Sequence, residues 1–107
     1  MASGDLGRAA PAANTLTTVY TMPAGKVGTL NVLAVNRANA AVSARVAITH
    51  AAVPADEDWI EYDALLSGKG AILERFGLIV GAGENIIVWS DGAAVSWRVN
   101  GFEGAQV

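Results

Sequence analysis

The sequence predicts an all-β protein, a single antiparallel β-sandwich of seven or eight strands with jelly-roll or immunoglobulin-like topology. Short apolar runs alternate with turn residues at intervals of roughly ten residues, the spacing typical of sandwiches and barrels. No stretch keeps helical spacing over three turns, and a helical interpretation would have to pass through Pro23, Pro54 and many interior glycines. The length of 107 residues fits one domain.

Charge is scarce in this chain. Hydrophobic residues make up 52% of the sequence and charged residues only 16%, whereas ordinary soluble domains carry about 25% charged residues. We therefore expect other subunits to cover part of the surface. The net charge of −3 and the scattered basic residues argue against nucleic acid as a partner. Without cysteine there is no disulfide, no thiolate nucleophile and no cysteine-bound zinc.

Residues 1–15 are rich in Ala, Gly and Ser and show no periodicity, which predicts an extended N-terminal arm before a sandwich domain at 16–107. Such an arm can bind a neighbouring subunit through main-chain hydrogen bonds to a sheet edge. The N-terminus lacks the apolar stretch of a signal peptide, and no run approaches the roughly 20 apolar residues of a membrane span. We expect synthesis in the cytoplasm and no membrane partner. The candidate contact residues of the arm are Asp5, Leu6, Arg8 and Leu16.

The first half of the predicted sandwich contains three strands. Residues 16–22 are rich in β-branched side chains and end at a Pro-Ala-Gly-Lys turn at 23–26. Residues 27–36 are apolar on both faces, which is typical of a central strand. Residues 42–49 alternate most clearly between apolar and polar side chains, so one face of this strand is predicted to lie on the core.

The second half contains the remaining strands. A short strand at 59–62 follows a loop that contains Pro54, and residues 71–80 form a strand in which Gly77 predicts a β-bulge. The last two strands cover 86–90 and 95–99, with a tight Asp-Gly turn between them. The residues that alternation places in the core are Val46, Ile48, Val88, Val95, Trp97 and Val99.

No arrangement of polar residues matches a known catalytic or metal-binding pattern. The acidic segment 56–63 has the carboxylates that Ca²⁺ prefers but not the spacing of an EF-hand, so a solvated loop is the better interpretation. Paired acids for glycoside hydrolysis need a buried acid in a cleft, for which a sandwich of this size has little room. His50, the single histidine, lacks the partners of a triad or a zinc site. We predict no catalytic residue, no metal and no cofactor.

Two tryptophans are the candidates for exposed contact residues. Trp59 and Trp89 each fall on the strand face opposite an apolar neighbour, Ile60 and Val88 respectively, whereas Trp97 is predicted to be buried. The same alternation places Tyr62 on the face opposite Trp59. Packing in the core or in an interface is the main interpretation of these rings. Because exposed indoles also stack on sugars, a carbohydrate-binding or adhesin module is a hypothesis of a different class.

Strand and turn segments follow one another in a characteristic order across residues 15–103. They are TVYTMPAGKV at 18–27, NR at 36–37, WIEYD at 59–63, LER and GL within 73–78, GAGE at 81–84 and VNGFE at 99–103. In this order the chain resembles small β-sandwich virion structural proteins of tailed bacteriophages. None of these segments is specific to one chemistry.

The resemblance implies a non-enzymatic component of the virion that forms homo-oligomers, often trimers. Its implied partners are other copies of itself and other virion proteins, such as the major capsid protein or tail components. The size, the single domain and the predicted arm favour a homotrimeric capsid decoration (cement) protein. A tail, baseplate or fibre component is the alternative within the same class.

Overall fold

Eight β-strands account for most of residues 3–105, which are the residues that the computed structural model describes. One 3₁₀ turn at Asp56–Asp58 is the only helical element in this range. The predicted all-β class is therefore confirmed. The strands are β1 (Ser3–Ala9), β2 (Thr17–Thr21), β3 (Lys26–Asn36), β4 (Val42–Thr49), β5 (Trp59–Leu66), β6 (Ile72–Val80), β7 (Asn85–Ser90) and β8 (Val95–Ala105).

The strands form two antiparallel sheets whose order is that of a jelly roll. The first sheet has the order β1-β8-β3-β6 and the second sheet has the order β2-β7-β4-β5. The pairs β4–β5, β3–β6, β2–β7 and β1–β8 are nested, as in one long hairpin rolled into two layers. The sandwich prediction is confirmed, and the strand order selects the jelly-roll form over the immunoglobulin-like form.

The longest uninterrupted pairing in the sandwich joins β3 to β8. Their register runs from Lys26 opposite Ala105 to Asn36 opposite Val95 without a bulge. Successive side chains of a strand point to opposite faces, so each of these strands sends every second side chain into the core. The buried core cluster contains Met22, Leu30, Val32, Ala34, Val42, Ala44, Val46, Leu66, Val80, Ile86, Val88, Val95, Trp97 and Val99.

The core that alternation predicts is largely the core that forms. Val46, Val88, Val95, Trp97 and Val99 are all buried, as expected. The sixth predicted core residue, Ile48, is only half-buried and packs against the margin of the core.

The structure corrects the expectation of an arm outside the sandwich. Residues 3–9 form β1, which pairs with β8 as an edge strand of the same chain, and Leu6 packs against the core. Sequence alternation does not reveal this strand because main-chain hydrogen bonds hold it and Leu6 is its one large apolar side chain. Residues 10–16 then cross to the second sheet, where the Asn14 amide donates to the Ser90 carbonyl at 2.8 Å. Residues 1–2 of the predicted arm lie outside the described residues.

The bulge expected at Gly77 is present. The register between β3 and β6 shifts between Leu30 and Val32, and Gly77 has a φ of 70°, which a residue without Cβ adopts without strain. The Gly77 amide donates to the Asn31 side-chain oxygen at 3.1 Å. The bulge therefore keeps the side chains on either side of it directed to consistent faces of the edge strand.

The first stability prediction concerns Val46, which is fully buried. Val46→Asp would place a carboxylate without a partner in the core, which costs several kcal/mol. The free energy of unfolding of a whole domain is only roughly 5–15 kcal/mol, so this loss is large. We expect that thermal melting of this variant, followed by circular dichroism, no longer shows a cooperative transition at the wild-type melting temperature. Thr18→Asp, on an exposed edge position, should melt close to wild type; similar melting of both variants would contradict the core assignment.

The second stability prediction tests the docking of β1. A Cβ at Gly7 would lie 2.4 Å from the Val19 carbonyl oxygen of β2, so Gly7→Ala forces the two strands apart. We expect a loss of about 1–3 kcal/mol in the free energy of unfolding, the usual cost of overpacking. Gly81→Ala is the matched control because its nearest neighbour is the flexible Glu84 carboxylate at 3.3 Å. Equal denaturation midpoints for the two variants would mean that β1 is not held against β2.

Candidate functional site

The outer face of the first sheet exposes four large apolar side chains. Ile72, Phe76 and Ile79 of β6 are 60%, 60% and 68% exposed, and Phe102 of β8 is 67% exposed. Single exposed apolar residues are common on protein surfaces, but several on one sheet face mark a surface that a partner covers. We call the residues of β1, β8, β3 and β6 that point away from the core the first-sheet outer face.

The strand registers arrange this face as two apolar ends around a polar middle. At one end Thr29 of β3 lies between Phe102 and Ile79, and at the other end Val35 of β3 lies beside Ile72. Half-buried Leu33 extends the second apolar end towards the middle. The two ends form shallow depressions of about 310 Å³, lined by Val27, Thr29, Ile79 and Phe102, and about 390 Å³, lined by Leu33, Val35, Ile72 and Ser96.

The polar middle of the face is held by hydrogen bonds and ion pairs within the chain. Asn31 donates to the Asn100 side chain across β3 and β8 at 2.9 Å. The Asp5 carboxylate lies 3.3 Å from the Arg98 guanidinium and 3.2 Å from that of Arg8. Exposed ion pairs contribute little to stability, so these contacts mainly fix the positions of the charged groups.

Three of the four candidate arm residues serve the fold of their own chain. Asp5 and Arg8 belong to the polar middle of the first-sheet outer face, and Leu6 packs against the core. Leu16 lies in the link between β1 and β2 and is 40% exposed. The structure therefore does not bring these four residues together as one contact surface.

The outer face of the second sheet carries a stacked aromatic cluster. The Arg45 guanidinium lies 4.1 Å from the ring centres of both Tyr62 and Trp89, and Tyr62 meets Trp59 edge to face at 5.5 Å. Arg45 also donates to the Asp63 carboxylate, with Nε at 2.6 Å and Nη2 at 3.3 Å. The hydrogen bond to Asp63 is the main cause that raises the pKa of Arg45 above its usual value. Arg45 thus joins β4, β5 and β7 on this face.

Irregular pairing of β5 produces the cluster and corrects the predicted faces. The register between β4 and β5 shifts on both sides of Val46, and Asp63 has a φ of 53°. As a result Tyr62 lies on the same face as Trp59, not on the opposite face. Both candidate tryptophans, Trp59 and Trp89, are half-buried rather than freely exposed. The role of Arg45 was not predicted from the sequence; the one indication of it is that alternation places Arg45 on the polar face of β4.

The acidic segment is engaged in local contacts. Glu61 pairs with Arg75 of β6 at 2.7 Å, and Arg75 also donates to the Ile60 carbonyl at 3.0 Å, which links the two sheets. The Asp58 carboxylate accepts from the Ala55 amide at 2.8 Å. Over residues 3–105 no group of three or more His, Cys, Asp or Glu side chains is placed to hold a metal ion. His50 is exposed at the end of β4.

A hydrogen bond between the sheets involves a largely buried acid. The Tyr20 hydroxyl of β2 donates to the carboxylate of Glu103 of β8. Burial, followed by this hydrogen bond and the charge of Glu103, raises the pKa of Tyr20 to about 12. The pair therefore stabilises the fold only while Tyr20 keeps its proton.

The fold and its two outer faces define a jelly-roll domain with an exposed apolar sheet face and a stacked aromatic cluster. A comparison with protein-family models, with curated proteins and with solved structures found no match. Within the described part of the chain, no helix has the length and apolar character needed to cross a membrane.

The Tyr20–Glu103 hydrogen bond predicts a dependence of stability on alkaline pH. Its contribution is fully present below pH 10, the ordinary tyrosine value, and is lost as the pH rises through about 12. Tyr20→Phe should be less stable than wild type at pH 9, and the gap between their melting temperatures should close towards pH 12. Exposed Tyr62→Phe is the control and should leave the pH dependence unchanged. A constant gap from pH 9 to pH 12 would contradict the role of Tyr20.

Proposed function

We propose that this chain is a non-enzymatic structural subunit of a tailed-phage virion, a capsid decoration protein that acts as a homotrimer. The virion setting and the trimer rest on the resemblance described above. The single observation that carries the structural role is the first-sheet outer face with its four exposed apolar side chains. A face of this kind is costly in water and is stabilised when another protein surface covers it.

The surroundings of the polar side chains support a role without chemistry. The carboxylates of Asp63, Glu61 and Asp5 each face an arginine of the same chain. Glu103 accepts from Tyr20, and His50 stands exposed at a strand end. The carboxylates of these pairs join strands and sheets, so their evident task is to hold the sandwich together.

The attachment surface in this proposal is the sandwich itself. Because residues 3–9 belong to the sandwich, the arm no longer supplies an argument for contact with a shell. The proposed location is the capsid surface, with the major capsid protein as the partner. A tail, baseplate or fibre component would use the same apolar face, and binding to purified capsids or tails separates the two locations.

A carbohydrate-binding module is the second candidate function. It is favoured by one feature, a shallow depression of about 360 Å³ lined by Asp56, Trp59 and Tyr62. Against it, the Arg45 guanidinium covers one ring face each of Tyr62 and Trp89, which leaves less aromatic surface for a sugar. Binding on a glycan array that is lost in Trp59→Ala would establish this function in place of a purely structural one.

The proposed self-association makes a direct prediction. Ile79→Ser combined with Phe102→Ser removes two exposed apolar side chains from the first-sheet outer face, so the variant should form an assembly of lower mass than wild type does. Light scattering coupled to size-exclusion chromatography measures the mass. The melting temperature of the double variant, measured at a concentration where both proteins have the same mass, should stay close to that of wild type. Val53→Ser removes an equally exposed residue from a loop and should leave the mass unchanged.

A wild-type chain that stays monomeric at millimolar concentration and binds neither capsids nor tails would overturn the proposal. A double variant with the wild-type mass would show that another surface mediates association.

A further inference from the structure

The first-sheet outer face has a charge pattern that matches itself after a half-turn. In the row that crosses the sheet at Leu33, Arg98 of β8 lies on one side of Leu33 and Glu74 of β6 on the other. Arg8 stands opposite Arg98 on β1, and the two guanidinium groups share the Asp5 carboxylate, so the β1–β8 side keeps a net positive charge while the β6 side of this row is acidic. In the described residues Glu74 makes no ion pair.

The apolar ends of the face have a related asymmetry. At one end Phe102 stands on the β8 side of Thr29 and Ile79 on the β6 side. At the other end Ile72 stands on the β6 side, and the β8 side offers only the small Ser96 beside Val35. A half-turn about an axis that runs parallel to the strands over β3 exchanges the β8 side with the β6 side but keeps each row opposite itself.

We propose that the first-sheet outer face binds the same face of a second copy of this chain through that two-fold axis. This inference rests on the proposed structural role and names the partner and the geometry of its contact. In the pair, Arg98 of each copy faces Glu74 of the second copy, and Phe102 faces Ile79 of the second copy. Ile72 of each copy enters the depression beside Ser96 of the other. A two-fold contact is isologous, so one charge pattern serves both sides.

The dimensions of the face set the expected strength. The rows from Phe102 to Ser96 span about 20 Å along the strands at ~3.4 Å per residue, and the three overlapping strands β8, β3 and β6 span about 14 Å at ~4.8 Å each. The flat area is roughly 300 Å² per copy, below the ~800 Å² per partner of a standard interface and within the range of weak or transient contacts. We therefore expect association that depends on protein concentration. Two packed sheets would lie about 10 Å apart with strands aligned within about 30°.

The central test reverses the charge at Glu74. Glu74→Arg would set an arginine against Arg98 of the second copy at two symmetric places, and the dissociation constant from sedimentation equilibrium should rise about tenfold or more. Glu57→Arg makes the same charge change on the exposed loop before β5 and should leave the dissociation constant within about twofold of wild type. Equal dissociation constants for the two variants would overturn the proposed contact.

A second test distinguishes the two-fold geometry from other symmetries. The chain has no cysteine, so Thr29→Cys introduces a single thiol on β3, at the proposed axis, on an exposed position. A short bis-maleimide should link two copies of this variant into a covalent dimer, whereas Glu57→Cys should yield none. A two-fold contact also gives assemblies with an even number of chains, either a dimer or a pair of trimers. Absence of the covalent dimer, or trimers as the sole species, would overturn the two-fold contact.

The outcomes separate this inference from the proposed function. If the Ile79→Ser and Phe102→Ser double variant loses self-association while Glu74→Arg behaves as Glu57→Arg, the structural role stands and the two-fold pairing is wrong. If wild type never associates and binds no virion part, both are wrong.

Discussion

The pairing of β3 with β8 is the constraint on which the rest of the sandwich depends. These two strands run side by side over their whole length, from Lys26 opposite Ala105 to Asn36 opposite Val95, in the middle of the first sheet. A slip of one residue would turn the core side chains to the outside, because the side-chain period of a strand is two. The register therefore sets at once which residues form the core, how β1 and β6 add at the edges, and what the outer face displays.

One consequence is that burial and recognition are divided between the two sides of the same strands. Leu30 and Val99 are buried in the core, whereas their neighbours Thr29 and Asn100 lie on the first-sheet outer face. Substitutions on the outer face can change association and leave the core packing largely intact, since successive side chains of a strand point to opposite faces. On the second sheet the outer face is instead closed by Arg45 and its aromatic neighbours, so the two faces differ in chemistry.

The sequence contains enough information for the strands that alternate clearly but not for those held by the main chain. Strands β2 to β8 follow from alternation and turn residues, although β5 and β8 extend further than predicted. The edge strand β1 was missed because main-chain hydrogen bonds to β8 hold it and Leu6 is its one large apolar side chain, so no alternation marks it. Alternation also cannot reveal a bulge such as the one in β5, which moves Tyr62 next to Trp59. The apolar outer face could not be predicted from the sequence, because its residues come together only through the order of the strands in the sheet.

The nested order of the strand pairs shapes how the chain can reach this structure. Pairing β1 directly with β8 would close a loop of nearly the whole chain, and the entropy cost of closure grows with loop length. Once β4 pairs with β5 and β3 with β6, the chain between β2 and β7 is already folded back, so the effective loops for the outer pairs are short. A polypeptide rich in contacts between distant residues is thus able to assemble by successive short closures, from the β4–β5 hairpin outwards. Interruptions near the β4–β5 connection would then slow folding more than equal changes near either end of the chain.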